Sequence, residues 1–428
     1  MRHITRREGP PYLVLGVSLL GSMTVAAFHL RGSARLLDLP PHPILTPTAI
    51  SSSQECHHLT TGGSESARSS GLAIQGTVAL SHSRLLNRCT YTTGETLFVR
   101  SVALALSRCK WEAEIQTGRR VRMTVLAVPS GFSPMERRAA KDACLQAGLH
   151  PNRIVTIPVA AALGCGLHLG RPRLALLSVS AARSTDLALL RLGGGNCRVI
   201  SCCGNPGFFK GVAAPCWQRD QPTSGAAPEE INDLLSHASL EAVAVEELYL
   251  VGQAPALSEM RRLRPCLVGN RPSVNLIPAR SIPLGAATMA NLLNEELPDF
   301  DVSEALPSAL GIEVHGGLTA QIVPRFASLP IKRVRQFAGP KEPSSPVDIH
   351  LLQGDQALAA ENLTLGHYQL DPPPIAPPPG ADLQVALDID AEGLVRLFAG
   401  YTTQANDQDI ARLDTSALSS QPHHPLPG

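Results

Sequence analysis

Ten cysteines are the chain's first candidates for chemistry, and all lie between Cys56 and Cys266. Structural zinc wants cysteines or histidines in paired, CxxC-like spacings. The cysteines make no paired CxxC motifs, and Cys202 and Cys203 are adjacent, so no zinc site is expected. A disulfide framework would be denser and confined to a smaller domain. The reading is therefore of reduced, mostly buried thiols in a cytoplasmic compartment. Asn362-Leu363-Thr364 fits the acceptor pattern for N-glycosylation. Asp371–Pro379, reading DPPPIAPPP, has the composition of a polyproline ligand. With 37 basic and 36 acidic residues the net charge is +1, which gives no argument for a nucleic-acid partner. Charged residues make up only 17% of the chain, against about 25% in typical globular proteins. That shortfall suggests a surface partly covered by a partner, or one less soluble alone.

A chain of 428 residues has ample length for two or three cored domains. From residue 12 to about 295, apolar strands alternate with amphipathic helices, as in an α/β domain. Val121–Pro129 reads as a strand. Pro134–Ala147 reads as a helix, with Ser133 as N-cap, Pro134 at its first position and Gly148 closing it. Leu174–Leu192 reads as two strands around a turn at Ala181–Ser184, and Glu229–Leu240 as a helix. Glu247–Val251 is a strand ending at Gly252, and Pro283–Leu293 a last helix. Ser51–Ser70, rich in Ser, Gly, Thr and His, reads as a loop or disordered insert.

Tyr12–Phe28 has two readings. Behind Arg2, Arg6 and Arg7 it has the form of a targeting or anchoring segment, although it falls short of the roughly 20 residues of a spanning helix. Alternatively it is two buried strands around a turn at Gly21-Ser22. Beyond Leu306 the pattern changes. Val347–Leu352, Gly366–Leu370, Leu383–Ile389 and Leu394–Phe398 alternate with period two between turn residues, which predicts an antiparallel β-sandwich. Gln404–Gly428 reads as a disordered tail. No internal repeat is visible.

Two stretches carry a family likeness. Val125–Leu167 reads VLAVPSGFSPMERRAAKDACLQAGLHPNRIVTIPVAAALGCGL. Leu306–Phe398 runs from LPSALGIEVHGGLTAQIVP through DIHLLQGDQALAAENLTLGHYQL to DIDAEGLVRLF. In that order they resemble the 70-kDa heat-shock proteins, the DnaK-type chaperones. LVLGVSLLGSMTVAAF falls in register with that family's opening hairpin, and Leu45–Ile50 with its later TPSII strand. This register favours the strand reading of Tyr12–Phe28. The resemblance implies an actin-like (ribonuclease-H-like) two-lobed α/β ATPase domain over 1–296, reduced here, and a linker over 297–306. An all-β, peptide-binding sandwich over 307–400 and a disordered tail over 401–428 would follow. The short spans from Arg88 to Thr124 and from Gly211 to Glu247 imply trimmed upper lobes, and no helical lid is expected. By the same likeness, Asp371–Pro379 is a turn between strands and Asn362 part of an ordinary strand-turn element.

Phosphoryl transfer needs glycine turns, a lysine, and carboxylates that hold magnesium through its waters. The family's first phosphate loop, DLGTTN, matches Ser18, Leu19, Leu20, Gly21, Ser22 and Met23. Its second, DLGGGTFD, matches Val179 through Asp186, where only the final Asp186 survives. The family's catalytic lysine matches Ser83, with Arg84 and Arg88 in register; its water-positioning glutamate is Ile157; and its adenosine-side LVGG is Leu250-Val251-Gly252-Gln253. Residual nucleotide contacts would come from Gly21, Ser22, Asp186 and Gly252, with Arg183 or Arg84 as new phosphate partners in the alternative case. Losing one member of a cooperating set costs orders of magnitude in rate. No catalytic residue, no metal ligand and no cofactor is therefore expected, although the family uses ATP and Mg.

The resemblance places domain coupling and co-chaperone contact at Pro129, Arg137, Arg153 and Glu304. Thr156 stands where the family has asparagine, and the hydrophobic linker is here the more polar Phe300–Glu304, expected not to dock in the family's way. The peptide pocket matches Ile312, Phe337, Val347 and Ile349, and the arch over the peptide matches His315 and Pro340. These apolar residues either line a groove or fill the sandwich core. Three functions follow as alternatives. The first is a chaperone or co-chaperone that binds unfolded or nascent polypeptide without ATP hydrolysis, with a J-domain co-chaperone or another chaperone as partner. The second is a weak ATPase rebuilt around Asp186 and Arg183. The third is a non-enzymatic scaffold. A cytoplasmic location without a membrane partner is expected, with anchoring or secretion through residues 12–28 as the alternative.

Overall fold

The computed structural model describes residues 13–20, 23–30, 33–38, 94–181, 184–204, 233–236, 245–252, 273–295, 300–339, 345–372 and 381–401. Leu45–Ile50, Ser51–Ser70, most of Asp371–Pro379 and Gln404–Gly428 lie outside them, as do Gly21, Ser22, Ser83, Arg84, Arg88, Arg183, Gln253 and Pro340. Two compact units are formed, one from residues 1–132 with 138–302, the other from Ser133–Arg137 with 303–428.

The first unit opens with β1 (Leu13–Leu20), β2 (Met23–Leu30) and β3 (Ser33–Leu36). The described part of Tyr12–Phe28 is thus a strand pair, in antiparallel register from Val14 opposite His29 to Leu20 opposite Met23. Leu13, Val14, Leu15 and Val17 are all buried, the continuous apolar pattern of a strand covered on both faces. No described helix is long and apolar enough to cross a membrane. Helix α1 (Gly94–Thr117) leads to β4 (Val121–Val128). Helix α2 (Pro134–Gln146) follows, then β5 (Pro151–Thr156) and α3 (Ile157–Gly164). The start of α2 is a capping box: the Ser133 amide donates to Glu136 Oε2 at 2.7 Å, and the Glu136 amide to Ser133 Oγ at 3.3 Å. Gly148, at φ +67°, closes the helix as expected.

A second run comprises β6 (Arg173–Ala181), β7 (Ser184–Gly193), β8 (Asn196–Gly204), β9 (Glu247–Gly252) and β10 (Ser273–Pro278), then α4 (Ser281–Glu295) and β11 (Asp301–Ser303). Of the helix expected at Glu229–Leu240, only 233–236 are described, and they are helical. The first sheet has the order β3-β2-β1-β4-β5, and the second β10-β9-β6-β7-β8-β11. In each, two hairpin-linked antiparallel neighbours lie on one side of a strand and two parallel strands on the other. The backbone therefore does contain a repeat, contrary to the sequence reading. It resides in strand pairing, which many different side chains satisfy.

The closing helices of the two halves, α3 and α4, meet through small residues. A Cβ at Gly285 would overlap the Ala160 carbonyl oxygen, one at Gly164 the Ser281 carbonyl oxygen, and one at Gly16 the Ala287 nitrogen. The polar stretch Asp301–Ser303 joins the edge of the second sheet beside β8, because backbone pairing needs no apolar side chain.

Among the described residues, the second unit is all-β apart from the helical turn that Ser133–Arg137 contribute and a short 3-10 turn at Ala359–Glu361. Its strands are β12 (Leu310–Val314), β13 (Leu318–Val323), β14 (Ile331–Phe337), β15 (Val347–Gln353), β16 (Leu363–Leu370), β17 (Leu383–Ile389) and β18 (Val395–Tyr401). They form two sheets, β13-β12-β15-β16 and β14-β17-β18, with Leu310, Ile312, Ile349, Leu351, Val385, Leu387, Ile389 and Leu397 buried in one cluster. Asn362, the sequon residue, is only 4% exposed. Its amide donates to Thr319 Oγ1 at 2.9 Å, the Gln356 carbonyl at 2.8 Å and the Leu358 carbonyl at 3.1 Å, and accepts from the Gln356 amide at 3.1 Å. It is a structural pin. Asn362→Ala strands several buried partners at once and is expected to lower stability by about 2–3 kcal/mol. Urea unfolding checks this, and a loss within the surface range of about 0.5 kcal/mol would refute it.

Candidate functional site

In the first unit, the positions matched to ATP chemistry lie along the strands and the start of α3. Ser18, on β1 between Val25 of β2 and Ala127 of β4, is 2% exposed. Its Oγ has no hydrogen-bond partner among the described residues. Val179, on β6, is 1% exposed and lies between Asp186 of β7 and Val251 of β9. Ile157, the first residue of α3, is fully buried. Gly252 ends β9 and is half-buried.

Asp186 is also buried, and its carboxylate is engaged. The Ser130 amide donates to both carboxylate oxygens, at 3.2 and 3.1 Å. Gly204, ending β8, lies so close that a Cβ there would overlap Asp186 Oδ1. Asp186 thus fastens the turn after β4 to the ends of β7 and β8. Sequence spacing could not reveal this, since the donor is a backbone amide 56 residues away. Among the described residues, no three of His, Cys, Asp and Glu converge on a metal position. Cys109 and Cys144 are buried, and burial pushes both thiols up to about 12, so neither is a nucleophile at neutral pH. Cys197 and Cys202 are buried as well, whereas Cys165 is exposed.

Of the expected coupling residues in this unit, Pro129 is buried and its carbonyl accepts the Phe132 amide at 3.1 Å. Arg153, on β5, is half-buried. In the second unit Arg137 is 3% exposed, and its Nη1 donates to the Glu392 carbonyl at 3.0 Å. Glu304 is 1% exposed, and its carbonyl accepts the Leu329 amide at 2.8 Å.

The expected peptide residues divide into three. Ile312 on β12 and Ile349 on β15 belong to the buried cluster. Val347 and Phe337, at the start of β15 and the end of β14, are only partly buried and pack against it. His315 is exposed in the β12–β13 turn, beside Gly316 and Gly317 at positive φ. Val314 and Tyr368, partly buried against the same cluster, were missed by sequence reasoning. Tyr368 sits directly opposite Ile349, a cross-strand relation that only register reveals. The other face of that sheet carries a second unread arrangement. His350 and His367 stack at 4.0 Å, His350 lying 2.6 Å from Glu313 and His367 3.0 Å from Asp348.

Two topologically matched α/β halves are thus followed by a β-sandwich. A family model described as Hsp70 protein matches residues 85–210 and 226–425, well over half of the chain, and the chain belongs to that family. It is similar to the chaperone protein dnaK3 of Synechocystis sp., 26% identical over 387 residues, which are 74% of this chain and 50% of that protein. It is likewise similar to the chaperone protein dnaK1 of Prochlorococcus marinus, 26% identical over 403 residues, 78% of this chain and 61% of that protein. The chain therefore spans between half and about three-fifths of the length of these relatives.

Proposed function

We propose that this protein is a chaperone-type polypeptide binder that works through its β-sandwich without hydrolysing ATP. The observation that carries the second half is the burial of neutral side chains where the family's chemistry needs hydrated charge. Ser18, Val179 and Ile157 are at most 2% exposed. A magnesium ion held through its waters needs carboxylates facing solvent. Asp186, the one acid retained, is committed to the Ser130 amide. These residues do not fit Mg-ATP, and a site rebuilt around Asp186 would first have to break its clasp.

The sandwich supports the first half. Phe337 and Val347 remain partly exposed on top of the buried cluster that contains Ile312 and Ile349, the apolar floor on which an extended segment is gripped by alternate side chains. Unfolded or nascent polypeptide is the ligand class we assign.

Saturating Mg-ATP or Mg-ADP is expected to leave the melting temperature unchanged, whereas a ligand at 100 times its Kd would add about 2.7 kcal/mol. A fluorescent apolar peptide is expected to bind saturably, and Val347→Asp to weaken it at least about tenfold by burying a charge. A clear nucleotide shift, lost in Asp186→Ala, would replace this reading with the rebuilt ATPase. Peptide binding unaffected by Val347→Asp would remove the sandwich from it.

A further inference from the structure

Helix α1 is apolar on two opposite faces. Val99, Val102, Ala103, Leu106, Cys109 and Ala113 are buried in the core of the first unit. On the other side, Leu104, Trp111 and Ile115 are 57%, 51% and 58% exposed. One exposed leucine is ordinary. Three large side chains in a row on one helix are not, because a helix apolar all round is normally covered all round. Positions 104, 108, 111 and 115 advance by four, three and four, the spacing of a seam that a second helix can follow. Arg108 fills the gap in the stripe. Its guanidinium lies 4.6 Å over the Trp111 ring and pairs with Glu112. Trp and Arg are the residue types that most often dominate binding surfaces.

We propose that this face docks an amphipathic helix of a partner protein, with an apolar seam flanked by Asp and Glu. Charge selects the acidic flanks. Exposed Arg100 stands at one end of the stripe, and exposed Arg120 at the other. Beside the stripe, Glu112 already pairs with Arg108, and Glu114 accepts the Val121 amide at 3.0 Å. Size argues against a second copy of this chain. The three side chains offer on the order of 300 Å² of apolar area, far below the roughly 800 Å² per partner of a stable dimer. A single docked helix, exchanging readily, fits both the length and the area. The low charged fraction of the whole chain, 17%, agrees with a partly covered surface.

The full chain carrying Trp217→Phe leaves Trp111 as its only tryptophan, and its emission reports docking. The probes are two synthetic helices of about three heptads with leucine at a and d, one with Glu and one with Lys at e and g. The Glu-flanked helix is expected to shift the emission to the blue, saturably, at micromolar concentration. The Lys-flanked helix should bind at least about tenfold more weakly. Leu104→Glu and Ile115→Gln, both at exposed positions, should each reduce binding at least about tenfold with unchanged melting temperature. Val347→Asp should leave the titration as it was, which separates this surface from the sandwich. Equal binding of both helices, or of neither, would overturn the proposal. So would concentration-dependent dimerisation in the ultracentrifuge that Ile115→Gln abolishes, since the occupant would then be a second copy.

Discussion

Gly285→Ala is expected to destabilise the first unit by several kcal/mol, although the same change in an ordinary helix adds about 1 kcal/mol of stability. Gly285 lies within α4, where α4 crosses α3. A methyl group there would overlap the Ala160 carbonyl oxygen and sit 2.6 Å from the Gly164 nitrogen. Both neighbours are backbone atoms of a helix whose residues from Ile157 to Leu163 are all buried, so neither can swing aside. The crossing is reinforced from the other side, since a methyl group at Gly164 would strike the Ser281 carbonyl oxygen. Relief requires the two helices to move apart, and α4 also lies against β1, where Gly16 allows the same intimacy with Ala287. Overpacking in a tight core costs about 1–3 kcal/mol when side chains can shift, and more when they cannot. Urea unfolding of the variant tests this. A midpoint equal to or above the parent's would mean that propensity has won and that α3 and α4 are not locked.

The same crossing shows where sequence and structure part company. The capped helix after Ser133 and the strands beyond Val347 were legible, because alternation, capping residues and turn residues are local signals. The strand pair at residues 13–20 and 23–30, mostly apolar, was told from an anchoring segment only by its register with the family's opening hairpin. Helix α1 was not legible. With Leu104, Trp111 and Ile115 opposite Val102, Leu106 and Cys109, it lacks the one-sided pattern by which a helix is usually recognised. Gly285 and Gly164 carry no signal of their own, as each is required by a backbone more than a hundred residues away in sequence. Among the site residues, the replacement of charged groups at Ser18, Val179 and Ile157 was legible, whereas their burial, and the clasp of Asp186 on Ser130, had to come from the fold. Whether Phe337 and Val347 differ from Ile312 and Ile349 was equally invisible, because alternation marks the inward face of a strand and not the depth of each residue along it.

Glu136→Gln is expected to make the protein more stable at pH 8 and to leave it nearly unchanged at pH 5. Glu136 is 4% exposed in the first turn of α2. Burial pushes its carboxyl up to about 8, against the opposing pull of its hydrogen bonds with Ser133 and the nearby Arg137 charge. A carboxyl whose folded pKa lies above its unfolded value holds its proton more tightly when folded. Its contribution to stability is complete below the unfolded value near 4.5 and is lost as pH rises through about 8. Each tenfold gain in proton affinity on folding is worth about 1.4 kcal/mol, so the interval corresponds to roughly 5 kcal/mol. Glutamine keeps the reciprocal cap, its oxygen accepting the Ser133 amide, and carries no charge. His168, whose pKa burial pushes down, favours the folded state as pH rises and so opposes the trend in the parent. It does so equally in the variant, and the difference between the two proteins isolates Glu136. Urea unfolding of both at pH 5, 6.5 and 8 should give curves of stability against pH that diverge toward alkaline pH, with the variant the flatter. Parallel curves would show that Glu136 is ionised throughout, and that its capping box holds a carboxylate that water still reaches.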